Sequence, residues 1–315
     1  MKKKLLIIII FFSCLAVAFS KDSPYVYIQP ELDVTFSKND EYILSVSGKR
    51  VVSYLEWEGL PLVYAGLNSG FCFNHFTFWF NSDFAIPSVC GKMYDSDWNA
   101  YNVKTTYSIH QNNAQSNCKI HTGLSYAFPI GAFTLTPKFS LLHIYDSFHA
   151  QNGYGWYGGE AYSKNGLDNN WDSEYARKAK KLYPIDLKRI STLSLFGVDF
   201  SFAPTTSLCF ALGFSLALHA HSHSYDYHYG KPDTLNDFSI TEIQTSAFDR
   251  FFTTFDFSWQ FYKNTFFQFS AAWLYAPPVL GTLYDDDELV TQKSAAAFNS
   301  ISIKTGVRWL LRAQE

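Results

Sequence analysis

The strongest constraint on this chain is a period of two in its apolar residues, set against the lack of any apolar run beyond the first twenty residues long enough for a membrane-spanning helix. Around a short turn near Lys263-Asn264, Phe257, Trp259 and Phe261 fall on one side of an extended backbone, with Ser258 and Gln260 on the other. The next segment repeats the pattern, with Phe267, Phe269, Trp273 and Tyr275 opposing Gln268, Ser270 and Ala272. Residues 118–128, 133–145 and 298–309 alternate in the same way. Successive strand side chains point to opposite faces, so each segment has one large apolar face and one small polar or charged face. A soluble β-sandwich also alternates, so further observations are needed to choose between water and lipid as the solvent of the apolar face.

Composition and targeting supply them. Lys2-Lys3-Lys4 followed by apolar Leu5–Phe19 and the small residues of Ala18-Phe19-Ser20 reads as a secretory signal cleaved after Ser20, leaving a single domain over 21–315. Aromatic residues make up 19% of the chain and charged residues only 17%, below the usual quarter. An exported, aromatic-rich chain of alternating strands fits an antiparallel transmembrane β-barrel, with lipid outside and a polar lumen inside. About ten strands are expected, over roughly 26–46, 50–69, 71–90, 105–128, 132–153, 183–203, 207–229, 236–262, 264–284 and 294–312. Several exceed the roughly 10 residues that cross a bilayer, so the barrel should project beyond the outer membrane. Short turns such as Pro129–Gly131 alternate with long polar loops such as 154–182, the asymmetry between the inner and outer ends of such barrels. The net charge of −3 gives no reason to expect nucleic acid. Cys72, Cys90, Cys118 and Cys209 have neither metal spacing nor the density of a disulfide framework, and are expected to be unpaired.

Two short stretches carry chemistry. Gly91–Trp98 reads GKMYDSDW and sets Asp95 and Asp97 two residues apart, on one face if the backbone is extended. Such a pair needs a proton, cation, metal or water to share its field. Asp226-Tyr227-His228-Tyr229 places an acid and an imidazole at the same spacing. Together the pairs could enclose and activate one water; taken singly, each also reads as a solvated turn or a polar barrel rim. His219, His221 and His223, with His228, read as lumen-facing polar residues rather than metal ligands, and Asp285–Glu288 as a solvated turn.

These motifs resemble those of the omptins, ten-stranded outer-membrane proteases, and the resemblance spans nearly the whole mature chain. GKMYDSDW is similar to the family's Gly-x-Met-x-Asp-x-Asp-Trp, Asp226–Tyr229 to its Asp-x-His-Tyr, Gly48–Trp57 to the start of its second strand, and Asp186–Phe200 to its basic sixth strand. The resemblance implies an endopeptidase cutting polypeptides near basic residues. Asp226 would orient His228, which works with Asp95 and Asp97 on a water, without a covalent intermediate. It implies no metal and no cofactor, apart from a requirement for lipopolysaccharide or another lipid, in a monomer whose active site faces the cell exterior. Lys188 and Arg189 stand as candidates for lipid phosphates, or are simply exposed. The substrate's basic side chain would be held by an acid two residues before the catalytic Asp, here Ser224, and by one near Asp40 or Glu41. The missing carboxylate at Ser224 implies a relaxed preference for arginine. An inactive barrel kept as an adhesin is the rival reading, and an open pore is the weakest, because side chains fill a ten-stranded lumen.

The alternation raises one further expectation. Phe210, Leu212, Phe214, Leu216 and Leu218 share even numbers with Asp226 and His228. A β-bulge between about His219 and Ser224 is therefore expected, to turn the acid and imidazole inward.

Overall fold

A computed structural model describes residues 24–158, 170–174, 176–230 and 237–312; the expected leader over 1–20 lies outside them. The strands in chain order are β1 (Tyr25–Leu44), β2 (Val51–Phe73), β3 (Phe76–Ala85), β4 (Ser88–Trp98), β5 (Lys104–Ala114), β6 (Cys118–Tyr126), β7 (Phe128–Ile130), β8 (Phe133–Tyr157), β9 (Arg177–Leu182), β10 (Ile185–Thr205), β11 (Leu208–His228), β12 (Phe238–Ser246), β13 (Phe251–Tyr262), β14 (Thr265–Asp285) and β15 (Glu288–Arg312). All pairings are antiparallel, and β15 returns to pair with β1, so the sheet closes on itself. Four staves are built from two consecutive segments each: β3 with β4, β5 with β6, β9 with β10, and β12 with β13. Among the described residues the ring is an all-β barrel of ten staves, with β7 a short side pairing on β8. Closure satisfies every ladder and leaves no edge, which is why an alternating chain can stand in lipid.

Several boundaries move relative to the sequence expectation. The second stave runs on to Phe73 and turns at Asn74-His75, where Asn74 takes a φ of 54°, rather than near residue 70. The stretch expected as one strand over 236–262 breaks at 247–250, with Phe248 at φ 61°.

The outer wall explains the aromatic load. Phe78, Phe84, Phe133, Phe139, Phe196, Phe200, Leu212, Phe214, Trp259 and Trp273 are all exposed there, as a lipid-facing band requires. The lumen is less uniformly polar than expected. One end is crossed by ion pairs, in which Lys304 Nζ lies 2.6 Å from Asp83 Oδ2 and 3.0 Å from Glu31 Oε1, and Lys119 Nζ lies 2.9 Å from Asp33 Oδ2. Farther along, the barrel is packed by an apolar cluster that includes Trp57, Leu62, Met93, Phe148 and Leu187. Side chains thus cross and pack the lumen, leaving at the ion-pair end a cavity of about 420 Å³ lined by residues such as Trp79, Lys138, Asp256 and Phe298.

The inward–outward alternation changes phase in β11, but not where expected. Ser194 pairs with His219 and Leu195 with Ala217, so Leu218 is the extra residue of the bulge. It precedes the expected window of 219–224 and lies beside the 247–250 break in the neighbouring stave. Gly213, Ser215 and Ala217 face the lumen on one side of it; Ala220, Ser222, Ser224 and Asp226 do so on the other. This corrects the expectation for three histidines: His219, His221 and His223 are exposed on the outer wall, not lumenal. The four described cysteines are free. Asp286 and Asp287 form the tight turn into β15, and Asp286 Oδ1 accepts the Ser239 backbone N–H at 2.7 Å.

Candidate functional site

A second bulge aims the acid pair. Val89 pairs with Asn113 but Lys92 with Gln111, so β4 holds one extra residue at Gly91. Gly91 has a φ of +107°, and a Cβ there would lie 2.8 Å from Glu58 Cβ. Only glycine combines that backbone with that approach at low strain. The bulge moves the lumenal face from Cys90 to Met93, so Asp95 and Asp97 follow Met93 into the barrel.

There Asp97 lies in register between Ser53 on β2 and Thr106 on β5, and both hydroxyls bond to its carboxylate. Asp95 stands between Leu55 and Ser108. Burial, then the charge of Asp97, push Asp95 well above the usual carboxylate range. Burial also raises Asp97, opposed by the hydrogen bonds from Ser53 and Thr106. Like charges so placed titrate as a pair. The environments differ, however: the Ser53 and Thr106 hydroxyls favour the ionised form of Asp97, and Asp95 is the member shifted farther toward its protonated form.

On β11, Asp226 is 3% exposed, and its Oδ1 has no hydrogen-bond partner among the described groups. Burial, followed by the charges of Glu41 and Glu242, raises it well above its ordinary value. His228, two residues on along the same face, stacks on Phe238 with ring centroids 4.2 Å apart. Asp95, Asp97, Asp226 and His228 all line one cleft of about 480 Å³, at the barrel end where β4 and β11 terminate. The paired motifs, 131 residues apart from Asp95 to Asp226, therefore meet across a single space.

The candidate substrate and lipid residues divide according to strand parity. Glu41 faces the lumen at 1% exposure, where its Oε2 accepts Trp57 Nε1–H at 2.9 Å and its Oε1 accepts Arg189 Nη2–H at 2.8 Å. Asp40, its neighbour, lies on the other face of β1, where it accepts the Tyr54 hydroxyl at 2.6 Å and pairs with Lys38 at 3.3 Å. It is not a pocket residue. Arg189 likewise corrects the lipid expectation: it is 2% exposed and lumenal, while Lys188 alone points outward. Adjacent strand residues cannot share a face. Ser224 is fully buried, and its Oγ accepts Arg189 Nε–H at 2.9 Å.

Two cleft residues carry no recognisable motif and were missed. Glu242 lies opposite Ser224 in the β11–β12 ladder, is 1% exposed, and is raised well above its ordinary value by burial and then by Glu41. His110 Nε2 is 3.2 Å from Ser108 Oγ, and burial lowers this imidazole to about 4, leaving it neutral. The signal for both was the alternation itself: Ser108, His110 and Asn112, or Glu242 and Gln244, form a polar face along one strand. Among the described residues no cluster of three or more metal-ligating side chains is present.

No protein-family model matches the chain, and no curated protein matches it in sequence. Solved structures of outer-membrane proteins align along most of the chain. The translocator domain of the autotransporter NalP from Neisseria meningitidis aligns with a TM-score of 0.37 at 9% identity, over 94% of this chain and 92% of that one. The outer membrane protein OprG from Pseudomonas aeruginosa aligns at 0.34 and 9%, over 92% and 98%. Against the outer membrane protease OmpT from Escherichia coli the TM-score rises to 0.74, at 14% identity, over 91% of this chain and 97% of that one; the chain has the fold of an OmpT-like outer-membrane β-barrel.

Proposed function

We propose that this protein is an outer-membrane endopeptidase of the omptin kind, hydrolysing exposed polypeptides with an activated water at the outward-facing end of the barrel. The observation that carries this reading is the convergence of Asp95, Asp97, Asp226 and His228 on one cleft. His228 serves as the base: the water oxygen bonds to the peptide carbonyl carbon as its proton passes to the imidazole. The carbonyl π pair moves to oxygen; on collapse the C–N bond breaks and the imidazolium returns a proton to the leaving amine. Asp226 stabilises the charged imidazole, and the acid pair holds the water, Asp95 as hydrogen-bond donor and Asp97 as acceptor. The barrel acts as a monomer in outer-membrane lipid, with Lys188 on its lipid-facing side, and lipopolysaccharide is the lipid expected to support activity.

The test is to incubate refolded protein with a peptide library, with and without lipopolysaccharide, alongside Asp97→Ala and His228→Ala. Cleavage by the wild type alone supports the reading. Binding of polypeptide without cleavage under every condition would identify an adhesin instead.

A further inference from the structure

The cleft that holds Asp226 and His228 also reaches Glu41 and Glu242, the latter one lumenal step deeper along the β11–β12 ladder, and Ile43, Leu55, Ile185 and Ile240 line the same space. An extended peptide lying across the catalytic groups would place a side chain into this recess. Its acids resemble a receptor for a cationic side chain, but a buried guanidinium outside the cleft lining already engages Glu41. Arg189 sits beneath the recess with four of its contacts made: Nη2 to Glu41 Oε1 at 2.8 Å, Nη1 to Asn39 Oδ1 at 2.7 Å and to the Ala297 carbonyl at 3.5 Å, and Nε to Ser224 Oγ at 2.9 Å. A guanidinium has five N–H donors, so this fork is nearly saturated. Glu41 has its other oxygen committed to Trp57 Nε1, and Glu242 Oε2 accepts Gln244 Nε2–H at 3.1 Å.

Four acids surround this one cation: Glu41, Glu242, Asp146 and Asp226. Burial raises Asp226 and Glu242 well above the carboxylate range, so proton uptake competes with a second cation for the excess charge. A lysine or arginine entering from the cleft would meet a like charge, partly desolvated, and the carboxyl oxygens still open to it belong to Asp226 and Glu242, which burial biases toward the neutral form. The apolar walls favour an uncharged side chain.

We propose that Arg189 is a built-in occupant of the side-chain subsite beside Asp226 and His228, so that the cleft accepts a residue with an uncharged side chain there and disfavours lysine and arginine. Arg189 is then a specificity-determining residue, and this inference rests on the endopeptidase reading for its substrate but not for its guanidinium site.

The experiment profiles cleavage of a peptide library randomised around the scissile bond. The wild type should prefer uncharged residues at the subsite. Arg189→Met keeps the apolar stem and removes the fork; it should shift preference toward arginine or lysine by about tenfold or more, the value of one charge-assisted hydrogen bond. Free guanidinium, compared with sodium at equal ionic strength and low concentration, should raise the unfolding temperature of Arg189→Met and not that of the wild type. Ser224→Asp tests the same point with Arg189 in place and covers the case in which Arg189→Met does not fold. Its new carboxylate should pair with Arg189 Nε and leave the preference uncharged. Strict cleavage after arginine or lysine by the wild type overturns the proposal. So does a gain of arginine preference in Ser224→Asp, or an Arg189→Met protein that neither shifts preference nor responds to guanidinium. If the wild type cuts no peptide at all, the endopeptidase reading fails, while the guanidinium comparison still decides whether Arg189 fills a guanidinium site.

Discussion

His110 Nε2 lies 3.2 Å from Ser108 Oγ, and Ser108 is the register partner of Asp95. A second imidazole thus shares the cleft with the acid pair, through one hydroxyl. Its ring fits because residue 153 is glycine, whose added Cβ would lie 2.3 Å from the imidazole. Burial depresses its pKa to about 4 from 6.5. For a base, that sign means that neutral His110 carries no penalty above pH 6.5. As pH falls from 6.5 toward 4 the unfolded chain takes up a proton that the folded one refuses. Stability should drop over that window by about 3 kcal/mol, at 1.36 kcal/mol per unit. Thermal unfolding of wild type and His110→Gln between pH 4 and 7 checks this: the variant should lose less stability on acidification.

Substituting His228 or Asp97 by Ala should reduce proteolysis by about 10²–10⁴-fold, the usual worth of a general base or its partner. The barrel should remain folded, because both residues project into an open cleft rather than the packed lumen. Peptide turnover beside a far-ultraviolet circular dichroism spectrum separates the two effects; full activity in either variant removes its assigned role.

Glu242 offers a test of the buried acid cluster with the opposite pH sign. A carboxyl whose folded pKa is raised contributes stability below the unfolded value, near 4.5, and loses it as pH rises through the folded value. Glu242→Gln, which keeps shape and removes the ionisation, should therefore stabilise the protein at neutral pH and have little effect near pH 4. Melting curves at the two pH values decide it, and equal shifts at both would contradict the raised acid.

Lys304 bridges Glu31, Asp33 and Asp83 inside the barrel. Removing one partner from a buried ionic group leaves the others uncompensated, at about 3–5 kcal/mol. Lys304→Met should lower the unfolding temperature measurably in detergent, and Lys304→Arg should recover part of the loss.

At Gly91, alanine would have to hold a φ of +107° and place its Cβ 2.8 Å from Glu58. Strain of this kind costs about 1–3 kcal/mol. Gly91→Ala should lose activity out of proportion to stability, because relieving the strain turns Asp95 and Asp97 away from the cleft. A parallel loss of both, with kcat and melting temperature falling together, would show that the bulge serves only folding.

Much of the fold is legible in the sequence because lipid permits few solutions. Phe257, Trp259 and Phe261 against Ser258 and Gln260 specify a strand and its faces without reference to any neighbour. The acid pair and the acid–imidazole pair were legible as patterns too. What local pattern could not supply was phase. The need for a reversal in β11 followed from counting, but its place at Leu218 depends on where the adjoining stave breaks, at 247–250. That placement sends His219, His221 and His223 outside, against expectation. Parity also separates Asp40 from Glu41 and Lys188 from Arg189, neighbours that the sequence reading grouped. The Glu41–Arg189 pair joins residues 148 apart, a contact invisible until the ring is closed.

The two bulges give the molecule an unusual genetic sensitivity. Each of β4 and β11 is a single ribbon serving two different solvents, joined at one supernumerary residue. Deleting Leu218 would change no cleft side chain and remove no charge. It would nonetheless exchange inside for outside along everything that follows in the strand, swinging Asp226 and His228 to the outer wall and His221 and His223 into the barrel. A one-codon deletion there should therefore silence the cleft as completely as losing the acid itself, whereas insertions in the loops between strands leave the reading of inside and outside intact.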